Sequence, residues 1–212
     1  MTNCKKVTFD QTKPPTMRNF ILILFATFFF TAKNSLAQKQ DKLTYFVGFG
    51  PAIDGNIGLW GLNFSNELSF KVGKRGSINP SLTFYQSMDS FDNFPDPNLQ
   101  KDNSSGLFTN ATLRYDLLQT AKNFKIAFAI GPSFQLGSEN TLSSIFYTAN
   151  EIPDYRYRIE KFSRTGITQQ IIFDWASKNE NRVNSAMISM TSFEGYWPWY
   201  LMATYRIGFK LK

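Results

Sequence analysis

The sequence predicts an all-β protein, an eight-stranded antiparallel up-and-down transmembrane β-barrel that is preceded by a cleaved N-terminal signal peptide. Three observations lead to this fold class: one short apolar run near the start, long segments in which large apolar side chains alternate with small or polar ones, and short turns that alternate with longer polar stretches. The clearest alternating segment is 124–137, where positions 124, 126, 128, 130, 134 and 136 are large and apolar. Because successive side chains of a strand point to opposite faces, this segment has one apolar face and one small, polar face. It exceeds the usual strand length of about 5–6 residues and is long enough for the roughly 9–11 that cross a bilayer.

The first predicted element is the signal peptide. Its apolar run, Ile21–Phe30, is too short for a spanning helix, which needs about 20 apolar residues, and fits a signal-peptide core. Met17 and Arg18 supply the charged start, and Ser35-Leu36-Ala37 supplies the small residues that a signal peptidase reads. We therefore expect 1–37 to be an N-terminal extension and Sec-type signal peptide, with translation from Met17, cleavage after Ala37 and a barrel domain over 38–212. An uncleaved anchor helix is the alternative.

Composition narrows the class of function. Cys4 is the only cysteine and the chain has no histidine, so disulfides, histidine-dependent hydrolysis and most zinc sites are not expected. Five of the 23 basic and one of the 16 acidic residues precede position 38, which leaves 18 and 15 and a net charge of +3. That balance does not call for nucleic acid. The acidic stretch 89–98 lacks the spacing and glycine of a helix-loop-helix calcium loop. We predict a protein that is not an enzyme and has no catalytic residue, cofactor or metal.

Eight alternating segments follow the signal peptide, in the order 43–53, 59–73, 76–88, 106–118, 123–137, 158–176, 182–193 and 200–212. Short turns separate them near 72–77, 119–123 and 177–182, whereas the longest polar stretches are 89–106 and 138–158, with shorter ones at 53–58 and 194–199. Outer-membrane barrels have short turns in the periplasm and longer loops outside. An even number of strands then places both ends of the barrel domain on the periplasmic side. Eight strands enclose a lumen that side chains can fill.

The apolar faces of the second, fourth and eighth segments carry no charge. The seventh segment alternates poorly and is assigned by elimination. In the fifth, Phe124, Ile126, Phe128 and Ile130 should face lipid, while Ala127, Ala129 and Gly131 should line the lumen. A Lys or Arg facing lipid at mid-bilayer costs roughly 2–4 kcal/mol, so the absence of charge is expected for such a surface. A soluble barrel or sandwich is the alternative, but its polar face would carry more Lys, Glu and Thr than these segments do.

Two groups of side chains are candidate sites. Glu67, Arg114, Asp116 and Arg206 lie on polar faces and are expected to form a polar network of paired charges in the lumen, with a gated polar path or ligand site as the alternative. The second group is aromatic. Tyr196, Trp197, Trp199 and Tyr200 are expected at the membrane–water interface, where rings with one polar atom are favoured. A platform that stacks on sugars is the alternative for this group.

The hairpin segments Glu67–Lys71, Gly73–Gly76, Pro80–Leu82 and Tyr205–Lys210 carry a family resemblance. With them the chain, over roughly 43–212, resembles the outer-membrane β-barrel domain family of Gram-negative envelopes, the small PorT-like proteins among them. The resemblance implies an integral outer-membrane protein that contacts outer-membrane lipid, is delivered by periplasmic chaperones and is inserted by the barrel-assembly machinery. It implies no catalytic residues.

The sequence therefore predicts an outer-membrane barrel with a filled lumen that acts structurally or through its extracellular loops, in adhesion, envelope integrity or an envelope complex. One alternative is a periplasmic or secreted lipocalin-like carrier of a hydrophobic ligand, and another is a narrow, porin-like outer-membrane channel. The distribution of side chains distinguishes the carrier, whose charges should lie outside and whose aromatic rings should lie inside.

Overall fold

Eight antiparallel strands close into a barrel in a computed structural model, which describes residues 43–90, 102–120, 124–147 and 153–211. The strands are β1 (Leu43–Asp54), β2 (Leu59–Val72), β3 (Gly76–Ser90), β4 (Asn103–Gln119), β5 (Lys125–Tyr147), β6 (Pro153–Ala176), β7 (Arg182–Phe193) and β8 (Tyr196–Leu211). Each strand pairs with its sequence neighbours, and β1 pairs with β8 to close the barrel. The predicted signal peptide and most of the acidic stretch 89–98 lie outside the described residues. Within the described ranges, no helix has the length and apolar character needed to cross a membrane.

The strands bury their polar faces and expose their apolar faces. On β5, Ala127 and Ala129 are fully buried, whereas Phe128 and Ile130 are exposed, which confirms the two faces predicted for this strand. On β2, Glu67 is buried in the lumen and Phe64 is exposed on the outside. A barrel that folds in water has the opposite arrangement, because its apolar face forms the core. The interior of this barrel is mostly polar, and its outer surface is mostly apolar.

The apolar outer surface has the height of a bilayer core. On β5 it extends from Ile126 to Leu136, a separation of ten residues. At a rise of about 3.3 Å per residue and a tilt of about 40°, this corresponds to roughly 25 Å, the height of the apolar band of outer-membrane barrels. We call this outer surface the apolar belt.

The β5–β6 hairpin continues far beyond the apolar belt. The stretch 138–158 was expected to be an irregular loop, but β5 continues to Tyr147 and β6 begins at Pro153. The two strands remain in register over this stretch, with Leu142 opposite Tyr157 and Ile145 opposite Tyr155. This part of β5 could not be recognised from the sequence, because a bulge at Leu142/Ser144 shifts the alternation of side chains by one residue. The extended part of this hairpin, residues 139–147 with 153–165, is called the projecting hairpin below.

The connection between β7 and β8 is also shorter than the pattern suggested. A loop was expected over 194–199, but β8 begins at Tyr196 after the two-residue turn Glu194-Gly195. Both turn residues have positive φ, 51° and 83°. This is the requirement of the type I′ turn, whose twist matches that of a two-residue β-hairpin.

Candidate functional sites in the lumen and above the barrel

A buried ion pair connects the two strands that flank β1. Arg206 of β8 donates to Glu67 of β2 over 2.9 Å, and their side chains are almost completely buried. Asn79 donates to the other carboxylate oxygen of Glu67 over 3.1 Å, and Ser185 accepts from the Arg206 guanidinium at 2.9 and 3.3 Å. The ring of Phe46 lies 4.9 Å from the centre of that guanidinium. The pair is therefore both neutralised and hydrogen-bonded, as a buried ion pair requires.

A second group of charges surrounds Arg114 of β4. Its guanidinium donates to Asp116 over 2.8 and 2.9 Å and to Asp174 of β6 over 2.6 Å. Lys125 of β5 donates to the second oxygen of Asp116 over 3.2 Å. Two cations face two carboxylates, so the group carries no net charge. It ties β4, β5 and β6 together near the short turns of the barrel.

All four sequence-predicted lumen residues lie inside the barrel, in two separate groups. Glu67 is paired with Arg206, and Arg114 is paired with Asp116. Sequence reasoning missed Asp174 and Lys125 as members of the second group. Asp174 shares the inward face of β6 with Gln170 and Ile172, so the alternation of that strand was a usable signal.

Aromatic rings fill the lumen toward its other end. The cluster consists of Tyr85, Phe108, Phe193, Trp199 and Tyr200, all buried. The ring centroid of Tyr200 lies 4.9 Å from the ring centroid of Phe108 and 5.4 Å from that of Tyr85, and both pairs are edge to face. Gln135 donates to the Tyr200 hydroxyl over 3.0 Å, so the polar atom of this ring is bonded inside the lumen. We call this cluster the aromatic plug.

Two members of the aromatic plug correct the prediction of an interfacial aromatic group. Trp199 and Tyr200 were expected at the membrane–water interface, but both side chains are buried inside the barrel. The physical reason is a bulge in β8, where residues 197–199 lie opposite the single residue Ser192. Tyr200 follows the inward alternation of Met202 and Thr204, and the bulge turns its neighbour Trp199 inward as well. The side chains of Tyr196 and Trp197, the other two residues of the predicted group, are outside the part of the chain whose side chains the structure describes.

Arg164 of β6 covers the aromatic plug from above. Its guanidinium lies 4.5 Å from the Trp199 ring and 3.7 Å from the Phe162 ring, so it is held between two aromatic faces. It also donates to Glu139 of β5 over 2.9 Å. This arrangement combines cation–π contacts with an ion pair at the end of the lumen that holds the aromatic plug.

A small cavity remains between the aromatic plug and the charged groups. It has a volume of about 10 Å³ and is lined by Thr83, Asn110, Gln170, Met187 and Thr204, among others. A cavity of this size is near the smallest that can hold one water molecule. Three layers of side chains thus follow one another along the described lumen: the charged groups, the polar layer around the cavity, and the aromatic plug.

The projecting hairpin presents exposed apolar and charged side chains above the apolar belt. On its outward face, Ile159 is 71% exposed and Tyr147 is 74% exposed. On the other face, Arg158 forms a 2.7 Å ion pair with Glu160, and the Arg156 guanidinium lies 4.6 Å from the Phe146 ring. This is the part of the described chain that extends furthest from the barrel.

Solved structures of other proteins can be compared with this fold. Neisserial surface protein A (NspA) is matched with a TM-score of 0.52 and 9% identity over 80% of this chain and 96% of that protein. The N-terminal β-barrel domain of Pseudomonas aeruginosa OprF has a TM-score of 0.47 (10% identity, 79% and 96% coverage), and Ail of Yersinia pestis has a TM-score of 0.43 (10% identity, 78% and 94% coverage). No family model matches the sequence, and no curated protein is significantly similar to it. At these identities the first likeness establishes the fold, and the other two fall below a TM-score of 0.5.

Proposed function

We propose that this protein is an integral outer-membrane barrel that does not conduct, has no enzymatic activity and acts through its projecting hairpin as an adhesive or complex-forming surface component. The single observation that carries the proposal is the combination of a closed lumen with a hairpin that extends beyond the apolar belt. Among the described residues, the cavity of about 10 Å³ inside the barrel is too small for a ligand, whereas the hairpin offers exposed aromatic, apolar and charged side chains to a partner. The neutral charge of the lumen groups agrees with a structural role for the barrel.

The distribution of side chains argues against the two alternatives. A carrier of a hydrophobic ligand needs a large apolar cavity, but the cavity between the layers is about 10 Å³ and most of the residues that line it are polar. A channel needs a continuous path, but two ion pairs occupy the lumen beneath the aromatic plug: Arg206–Glu67 joins β8 to β2, and Arg114–Asp174 joins β4 to β6. We therefore place the activity at the surface and not inside the barrel.

The outer membrane is the location that best fits the apolar belt. A belt of roughly 25 Å matches the hydrocarbon layer of that membrane, and the closed barrel leaves no unpaired strand edge within it. The predicted signal peptide supplies the export that such a location needs. NspA, which has a similar fold, is named a surface protein, in agreement with this proposal.

The test removes the projecting hairpin and keeps the barrel. Asn140 lies directly opposite Ile159, so residues 141–158 can be replaced by an Asn-Gly turn without changing the register. Pairing of β4 with β5 ends at Asn140, and pairing of β6 with β7 begins at Gly166, so the barrel should remain intact. The matched control has Asn-Gly in place of Lys74-Arg75, in the short β2–β3 turn at the opposite end.

We expect both variants to be recovered in the outer-membrane fraction and to migrate faster on a gel unheated than after boiling. Cells that display the hairpin-deleted chain should lose attachment to surfaces and to other cells, while cells with the control should attach as the original does. Equal attachment by the two variants would show that the hairpin is not the functional surface. Recovery in the soluble periplasm, without heat-dependent mobility, would refute the membrane barrel itself.

A further inference from the structure

One edge of the projecting hairpin has no strand beside it among the described residues. β7 pairs with β6 only from Gly166 to Ala176, so residues 157–165 of β6 have a strand partner on the β5 side alone in the described part of the chain. The opposite edge of the hairpin is capped, because the Leu142 backbone N–H donates to the Asp102 carboxylate over 2.8 Å. A strand edge of this length is a template on which another strand can add.

The sequence of that edge is complementary to itself. Residues 155–163 read Tyr-Arg-Tyr-Arg-Ile-Glu-Lys-Phe-Ser. When an antiparallel copy is centred on Ile159, Arg158 faces Glu160 and Tyr157 faces Lys161. The next pair places Arg156 opposite Phe162. Directly opposed ion pairs and cation–aromatic pairs both stabilise neighbouring strands.

We propose that this edge of β6 pairs with the same edge of a second copy of the chain, antiparallel and centred on Ile159, so that two projecting hairpins form one four-stranded sheet. The proposal rests on the proposed function and names the partner of that surface as the protein itself. The contact is isologous, so it closes with two copies and does not propagate.

Exposed side chains at the centre of the edge fit this contact. Ile159 is 71% exposed above the apolar belt, and in the pair it meets its own copy on the outward face. Arg158 and Glu160 are 72% and 46% exposed and interact within one strand. Each can therefore take the opposite charge of the second copy as a partner without leaving a buried charge behind.

The same charges oppose neighbouring registers. If the centre of the contact shifts to residue 158, Arg158 faces Arg158 of the second copy. If it shifts to residue 160, Glu160 faces Glu160 of the second copy. Both registers oppose like charges. A centre between two residues joins the outward face of one hairpin to the opposite face of the other, which is unfavourable when the two faces differ in polarity. Charges on an edge strand usually prevent association. In this sequence they favour one register and disfavour the others.

The direction of the strands determines where the second copy lies. β6 runs from the hairpin tip toward the membrane, so an antiparallel copy runs toward a membrane on the other side. The two barrels therefore sit in facing membranes, as in contact between two cells or two vesicles. From Ile159 to Ile167, the first apolar residue of the belt on β6, is eight residues. On β5 the belt ends at Leu136, opposite Ser163, which is only four residues beyond Ile159. At about 3.3 Å per residue and a tilt of about 40°, the two apolar belts would therefore lie roughly 20–40 Å apart.

The test is a charge complementation with the full-length protein. Arg158→Glu and Glu160→Arg each create like-charged pairs in the homotypic contact, but a mixture of the two variants restores opposite charges at both positions. The double variant Arg158→Glu/Glu160→Arg restores them in its own homotypic contact. Lys178→Glu, in the turn at the opposite end of the barrel, is the control for a change of net charge.

We expect the original chain and Lys178→Glu to dimerise in detergent by analytical ultracentrifugation and to cluster phospholipid vesicles into which they are inserted. Each single variant should raise the dimer dissociation constant about tenfold or more. The mixture should form heterodimers and cluster vesicles again. Mixing cannot repair the ion pair within one strand, so recovery on mixing separates pairing between copies from a local structural effect.

A monomeric original chain, single variants that dimerise like the original, or a mixture that fails to recover would each overturn the proposal. Failure of this inference is distinguishable from failure of the proposed function. If deletion of the hairpin abolishes attachment while the original chain stays monomeric, the hairpin acts on a different partner. If deletion has no effect on attachment, the proposed function fails as well.

Discussion

At the scale of single residues, the buried charges of the lumen are the most sensitive positions. Glu67 and Arg206 are buried together, and each provides the only charge of opposite sign within ion-pair distance of the other among the described residues. Removal of one member of a buried pair leaves the other uncompensated, which is costlier than removal of both.

We predict that Glu67→Ala lowers the free energy of unfolding by about 3–5 kcal/mol, because Arg206 then stays buried without a counter-charge. Glu180→Ala, in the exposed β6–β7 turn, should change it by no more than about 0.5 kcal/mol. Chemical unfolding of the reconstituted barrel measures both. The double variant Glu67→Leu/Arg206→Met should recover most of the loss. A cost for Glu67→Ala as small as that of the turn variant would mean that the pair is solvated.

At the scale of elements, one strand passes through two environments. The outward residues of β5 are apolar from Ile126 to Leu136, then polar at Ser138 and Asn140, and apolar again at Ile145 on the projecting hairpin. Exposure alone does not separate these positions, because Ile130 and Ile145 are 41% and 45% exposed. Their positions along the strand separate them, because Ile130 lies in the middle of the apolar belt and Ile145 lies above it.

We predict that Ile130→Arg destabilises the barrel in a bilayer by about 2–4 kcal/mol, since a charge at mid-bilayer loses its hydration. Ile145→Arg is the matched control, with the same substitution at similar exposure, and should cost less than about 1 kcal/mol because its side chain meets water. Unfolding in lipid vesicles gives both values. Equal costs would contradict the position assigned to the belt.

At the scale of the whole molecule, the barrel is closed along its axis. The aromatic plug lies at one end, the charged groups lie toward the other, and the polar layer between them leaves about 10 Å³. An eight-stranded barrel has little interior to spare, and here the described side chains occupy it.

We predict that the protein inserts into planar bilayers without ion-conducting steps. The variant Phe108→Ala/Tyr200→Ala should also stay closed, because it widens only the aromatic plug and leaves Arg206–Glu67 and Arg114–Asp174 in place beneath it. Single-channel recording tests both. Steady conductance by the original chain would overturn the filled lumen, and conductance by the variant alone would show that the plug is the seal.

The alternation of side chains was sufficient to predict most of the fold. The contrast between a large apolar side chain such as Phe128 and a small one such as Ala129 can be recognised within one strand. The number of strands followed from the number of turns. The alternation also placed Glu67, Arg114, Asp116 and Arg206 on inward faces. The alternation could not predict which charges pair with each other. Asp174 lies far from Arg114 in sequence and reaches it only because β4, β5 and β6 are neighbours in the barrel.

Two features depended on irregularities that a period of two cannot reveal. The bulge at 197–199 turned Trp199 inward beside Tyr200, and the bulge at Leu142/Ser144 concealed the continuation of β5. Both arise from pairing with a neighbouring strand, so they exist only once the register is set.

The sequence by itself determined that the chain forms strands, how many there are and which face of each is apolar, because these depend on the local order of side chains. The tertiary structure alone decided which side chains fill the lumen, which charges are paired, and that the β5–β6 hairpin projects with an edge that no described strand covers. Those properties depend on contacts between residues distant in sequence, and only closure of the barrel brings such residues together.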